Sequence, residues 1–164
     1  MRGLSFLADG ELFTVDVTLV QKVVRRMSIT PVPSAPEAVA GIANMKGRVV
    51  TVINLTQLLG HKKKKRRGSS ADDVNAIVFK TKFDNDDQMG LIIDKPGNLI
   101  DIEDSAIRSP PLTTGMDESI CISGIAEVDN NFYRIIDLNS ISQRYMDSGE
   151  ISTGNSSYGG NDNG

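Results

Sequence analysis

The stretch VTLVQKVVRRMSITPVPSAPEAVAGIANMKGRVVTVINLTQLL, residues 17–59, has an order of parts that decides the fold. An amphipathic turn is followed by a strand-like run, a proline-spaced connector, a glycine, and a further strand-like run behind a second glycine. Pro31, Pro33 and Pro36 each fix φ and bias the preceding residue away from helix, which forces an extended, semi-rigid connector. Gly41 and Gly47 bracket IANMK, where the backbone is expected to turn or to come close to another segment.

Working outward, ELFTVDV (Glu11 to Val17) puts Phe13, Val15 and Val17 on one side and Thr14 and Asp16 on the other, the period-two alternation of a half-buried strand. Similar runs are VVRRMSI (Val23 to Ile29), RVVTVIN (Arg48 to Asn54), NAIVFKTK (Asn75 to Lys82) and MGLIID (Met89 to Asp94). NLIDI (Asn98 to Ile102), ICISGIAEV (Ile120 to Val128) and NFYRIID (Asn131 to Asp137) complete the set. Turn chemistry separates them at FDNDD (Phe83 to Asp87), KPGN (Lys95 to Asn98) and DNN (Asp129 to Asn131). Many short strands with few helical turns give an all-β class, a small barrel or sandwich. The helical candidates are brief: TLVQKVV (Thr18 to Val24), LTQLL (Leu55 to Leu59) ending at Gly60, and LNSISQRYM (Leu138 to Met146).

Composition narrows the function. The net charge of −3 hides an asymmetry, with 12 Lys plus Arg against 4 Asp plus Glu up to Gly68, and 6 against 17 after it. Six of the cations form one run, Lys62 to Arg67, in a segment (61–73) expected to be a flexible basic loop. The Gly, Ser and Asn composition from 147 to 164 is that of a disordered tail, leaving 1–146 as the folded domain. A basic run can attract nucleic acid, but no aromatic residue lies within it to stack on a base. The start MRGLSFLADG is too interrupted for a secretory leader and no window is apolar for a membrane span, which points to the cytoplasm.

Catalytic chemistry finds no foothold. One histidine, His61, and one cysteine, Cys121, leave no metal-ligand spacing, and Cys121 reads as a small core residue. Asp84, Asp86 and Asp87 lack the glycine and glutamate of a calcium loop, and there is no phosphate-binding loop, dinucleotide fingerprint or nucleophile elbow. Neither an enzyme nor a cofactor is expected.

The order of motifs resembles the CheW family of chemotaxis coupling proteins. Its V-x-E-I turn corresponds to Val20-Gln21-Lys22-Val23, its P-x-x-P connector to Pro33-Ser34-Ala35-Pro36, and its G-hydrophobic-x-N-L-R-G to Gly41 through Gly47. Its P-V-x-D-L corresponds to Thr51 through Leu55. In the second half, MGLIID, IRSPP (Ile107 to Pro111) and ICISGIAEVDNNFYRIIDLNSI continue the match. The resemblance implies two small five-stranded β-barrels packed together with a few short helices, and a groove between them. It implies a non-catalytic adaptor that takes the cytoplasmic tip of a chemoreceptor and the regulatory domain of the histidine kinase CheA, recruited to receptor arrays at the inner membrane face. Membrane association would then be indirect, through receptors.

Carried over residue by residue, the receptor-facing groove would hold Val20, Lys22, Val23, Asn44, Lys46 and Ile93, with Pro33, Pro36, Gly41, Gly47 and Gly124 as structural positions. Val20, Val23 and Ile93 read equally as ordinary core, because alternation does not say which face is outward. Lys46 stands where the family has arginine, which keeps the charge and loses the planar fork. Lys22 reverses the family glutamate, so a partner facing it should be acidic or neutral there. A regulatory-domain paralogue or fragment of a CheA/CheV-type protein, and a small-barrel nucleic-acid binder using the basic run, are the other readings.

Overall fold

A computed structural model of the chain describes residues 1–60, 73–80, 87–110 and 121–147. The basic run, the FDND part of the predicted turn, Pro111 and the tail from 148 lie outside them. Eleven strands form two sheets among the described residues, β1 (Arg2–Ala8), β2 (Glu11–Asp16), β3 (Val20–Ser28), β4 (Val39–Met45), β5 (Arg48–Ile53), β6 (Asp73–Phe79), β7 (Gln88–Ile93), β8 (Lys95–Asp101), β9 (Ile107–Arg108), β10 (Ile122–Val128) and β11 (Asn131–Ile136). Short helices α1 (Leu55–Leu58) and α2 (Leu138–Ser142) follow β5 and β11, and α2 runs into a π-helical turn, Gln143–Asp147.

The first lobe is a six-stranded sheet in the order β8-β1-β2-β11-β10-β9, and the second a five-stranded sheet in the order β3-β6-β7-β5-β4. The sixth strand, β9, is a two-residue addition to the expected five. The second sheet is drawn round on itself by one antiparallel bridge just past β3, where Thr30 N–H donates to Ile42 O at 2.8 Å and Ile42 N–H donates to Thr30 O at 2.9 Å. The bridge ties the two ends of the sheet at this one point, and β3 and β4 remain its outer strands. The chain begins in the first lobe, crosses at Val17–Leu19, builds the second, and returns at Asp94, so the charge division near Gly68 falls inside the second lobe and not between lobes.

Three hairpins turn on two left-handed residues, Asp9-Gly10 (φ 49° and 76°), Lys46-Gly47 (53° and 83°) and Asp129-Asn130 (51° and 65°). Two-residue turns of this kind match the right-handed twist of the strands they join. Asn54 caps α1 by accepting from Thr56 N–H at 3.1 Å and Gln57 N–H at 3.4 Å, and Asp137 caps α2 from Ser140 N–H at 3.2 Å.

Two expectations from the sequence need correction. TLVQKVV is not a helix: Asp16 caps only a 3₁₀ turn at Val17–Leu19, and from Val20 the β-branched residues pair with β6. KPGN is not a turn: it opens β8, an edge strand, where Pro96 needs no ladder partner on its free side. Ser5 fills the resulting bulge, its hydroxyl donating to Asn98 O and accepting from Asn98 N–H, both at 2.9 Å. The opening segment, read above only for targeting, forms β1.

The largest apolar core lies between the two lobes. Phe6, Phe13 and Val15 from the first meet Ile53, Ile77, Leu91 and Ile93 from the second, with Leu138 and Ile141 of α2 closing it. A separate core of Val50, Val52, Ala76, Val78 and Ile92 fills the second lobe. Alternate residues of β6 and β7 thus serve different cores, which explains why these strands read as continuous apolar runs.

Candidate docking surface at the seam of the lobes

The structure divides the six groove candidates four ways. Val20 and Val23 lie opposite Phe79 and Ile77 in the β3–β6 ladder, so they extend the face that makes the inter-lobe core. Because β3 is the last strand of its sheet, that face emerges there: Val20 packs against the core and is half-buried, and Val23 is 37% exposed. Leu4 and Leu19, also partly buried, border the same core. The seam therefore reaches the surface as an apolar margin.

Lys22 lies opposite Val78, whose side chain belongs to the second lobe's interior, so it shares the lumen face at that strand's end and is half-buried. Neighbouring Gln21 accepts a hydrogen bond from Gln88, which is itself buried.

Asn44 and Lys46 belong to the β4–β5 hairpin. The Asn44 side-chain oxygen accepts Gly47 N–H at 3.0 Å and holds the turn, so that oxygen is already engaged. Lys46 sits on the turn, exposed. Ile93 is a correction: at 1% exposure it is part of the inter-lobe core and presents nothing to a partner.

The structural positions have physical reasons. A Cβ on Gly41 would stand 2.2 Å from Thr30 O, at the closing bridge. On Gly124, at a register shift in β10, it would meet Ile107 Cγ2 at 2.8 Å and Arg108 O at 3.0 Å, where β9 lies close. Pro36 O accepts Val39 N–H at 2.9 Å as the connector enters β4, while Pro33 is exposed beside Ser34, whose φ is 63°.

Sequence reasoning missed other surface groups. Phe132 on β11, opposite Glu127, is 62% exposed, and Val49 on β5 is 45% exposed. Both lie within three residues of a hairpin turn, where the alternation of a strand persists but the neighbour that would cover its apolar face has run out. Among the described residues no group of three or more His, Cys, Asp or Glu is placed to hold a metal, and no helix is long and apolar enough to cross a membrane.

The model of the CheW-like domain matches residues 2–146, nearly all of the described chain. The chain belongs to the CheW-like domain family. Among curated CheW relatives, the chemotaxis protein CheW of Bacillus subtilis is 26% identical over 136 residues, covering 83% of this chain and 83% of that protein. That of Treponema pallidum is 25% identical over 141 residues, covering 84% and 79%. The crystal structure of the scaffolding protein TtCheW from Thermoanaerobacter tengcongensis is 33% identical and superposes with a TM-score of 0.69, over 84% of this chain and 88% of that one. The two-lobed β architecture described above is thus that of a CheW-like scaffold.

Proposed function

We propose that this chain is a chemotaxis adaptor that acts by contact, holding the cytoplasmic tip of a chemoreceptor and the regulatory domain of the kinase CheA in register. The observation that carries the reading is the apolar seam between the lobes, which emerges on β3 at Val20 and Val23. An amphipathic helix laid along that margin would complete the burial of an apolar face the protein leaves half covered. Relatives named as chemotaxis proteins and a structural neighbour named as a scaffolding protein support it. The protein works in the cytoplasm and reaches the membrane only through the receptors it binds.

An adaptor for two partners needs two faces that do not overlap. Phe132 is on the other lobe from Val23, and an exposed aromatic among polar neighbours is the usual anchor of a protein interface. We assign it to the kinase. Weak separate contacts gain strength when both partners belong to one array.

Co-sedimentation of the purified protein with receptor membranes and CheA tests both faces. Val23→Ser should lower receptor retention about tenfold, the ~1.4 kcal/mol expected from losing one partly buried valine, and leave CheA retention unchanged. Phe132→Ser should do the reverse. Equal retention of both partners by both variants, with melting temperatures matching the parent, would remove these faces from the mechanism.

A further inference from the structure

Among the described residues the chain passes between the lobes twice, and the two passages are built differently. The first, Val17–Leu19, follows Asp16, which lies opposite Gly3 near the start of β1. It is a 3₁₀ turn held within itself, since Asp16 Oδ1 accepts Thr18 N–H at 2.9 Å and the Thr18 hydroxyl at 2.8 Å. The second is the single residue Asp94, beside the other end of β1. Its neighbours are already fixed in strand ladders, Ile93 opposite Asn75 in the second lobe and Lys95 opposite Leu7 in the first. A change in the angle between β7 and β8 therefore passes through φ and ψ of Asp94, the two soft torsions that one residue supplies.

The hydrogen bonds at Asp94 cross over between the lobes. The peptide arriving from the second lobe gives its N–H to Leu7 O of the first at 2.8 Å. The peptide leaving for the first lobe has its carbonyl, Asp94 O, taken at 3.0 Å by the side-chain amide of Asn75 on β6, in the second. Each peptide plane flanking the hinge is thus anchored on the opposite lobe, and both torsions are held. The Asp94 carboxylate adds a third hold by accepting Asp9 N–H at 2.8 Å, in the β1–β2 turn. On its other side Asn75 Oδ1 accepts Arg26 N–H at 3.4 Å, in the bulge of β3, the strand that carries Val23. Filling that bulge accounts for an acceptor at residue 75. It does not account for the donor aimed at Asp94 O, which a primary amide supplies together with the acceptor.

We infer that Asn75 and Asp94 are positioning residues, a side-chain lock on a one-residue hinge that sets the angle between the lobes and with it the angle between the two partner faces. The geometry stands by itself, and the purpose given to it rests on the adaptor reading above. Apolar burial at the seam opposes separation of the lobes but is non-directional, whereas a hydrogen bond weakens steeply as it is misaligned. The seam holds the lobes together, and the lock fixes the angle at which they are held. Asp94 is exposed and Asn75 half-buried, where water can replace a lost partner, so the lock adds little to stability and can be removed without unfolding the chain.

The test measures the distance between spin labels on the full chain at Arg48→Cys and Ser105→Cys, exposed positions on different lobes, with the buried Cys121 shielded from labelling. The parent should give one narrow distance peak. Asn75→Ala should lose it, and so should Asn75→Asp, which keeps the acceptor for Arg26 N–H but has no donor for Asp94 O. Asp94→Asn, which keeps a side-chain oxygen for Asp9 N–H, should retain the narrow peak. All three should melt within about 4 °C of the parent. Without labels, retention on membranes carrying receptor and CheA together, relative to either partner alone, should fall about tenfold for both Asn75 variants while single-partner retention is unchanged. A narrow peak in both Asn75 variants would show that the hinge needs no lock. A broadened peak with the joint gain intact would show that the lock does not position the partners. Melting far below the parent, with faster amide exchange throughout both sheets, would make Asn75 a residue of the fold and not of the hinge. If the parent itself gains nothing from the two partners together, the adaptor reading falls and takes the positioning role with it, while the distances still decide the lock.

Discussion

Gly41→Ala is expected to lower stability by about 3–5 kcal/mol, where Gly10→Ala costs only about 1 kcal/mol. Both glycines have positive φ, 152° at Gly41 and 76° at Gly10, and so both substitutions strain the backbone. They differ in what a side chain would meet. Nothing lies within 4 Å of a Cβ built on Gly10, whereas on Gly41 it would be 2.2 Å from Thr30 O and 2.7 Å from Ile29 Cγ2. Thr30 O is the acceptor for Ile42 N–H, so relieving the overlap means parting β4 from the end of β3 and losing both hydrogen bonds of the bridge. Strain of 1–3 kcal/mol and about 1 kcal/mol for each lost hydrogen bond give the stated range. At 2–4 °C per kcal/mol for a chain of this size, Gly41→Ala should melt roughly 10 °C below the parent. A melting curve in which the two alanine variants coincide would show that the closing bridge adds nothing.

The same bridge shows where sequence reading succeeds and where it stops. Gly41 was legible as a place of close approach because glycine is selected where a backbone comes near, but its neighbour Thr30 was not, since nothing local links residues 30 and 42. Turns were legible where two left-handed residues carry Asn, Asp or Gly, as at Asp129-Asn130. They were misread at KPGN, where an edge strand tolerates proline and a serine hydroxyl fills the bulge. The strands β6 and β7 announced themselves by apolar runs without disclosing that alternate side chains enter different cores. Ile93 was misplaced for this reason: period two gives two faces, and with both buried neither marks the surface.

Leu91→Ala is expected to destabilise the whole molecule by about 2–5 kcal/mol in one transition, not to melt the second lobe alone. Leu91 is fully buried on β7, paired with Ile77 and Ile53, and its side chain faces the core that the lobes share. Two lobes joined by only two crossings would ordinarily be free to move against each other. Here the seam holds the largest set of fully buried side chains, including Phe6 stacked on Phe13 at 5.6 Å, so neither lobe keeps its main core once the other has unfolded. Far-UV circular dichroism reports both sheets, and near-UV signal from Tyr133 on β11 and Tyr145 beyond α2 reports the side of the seam away from the mutation. The two midpoints should fall together, by roughly 5–15 °C. Tyrosine signal that survives at the parent midpoint while the far-UV signal drops would mean independent lobes. Coincident melting is also what the proposed function requires, because Val23 and Phe132 are on different lobes, and only a rigid seam keeps two partners bound there at a fixed spacing.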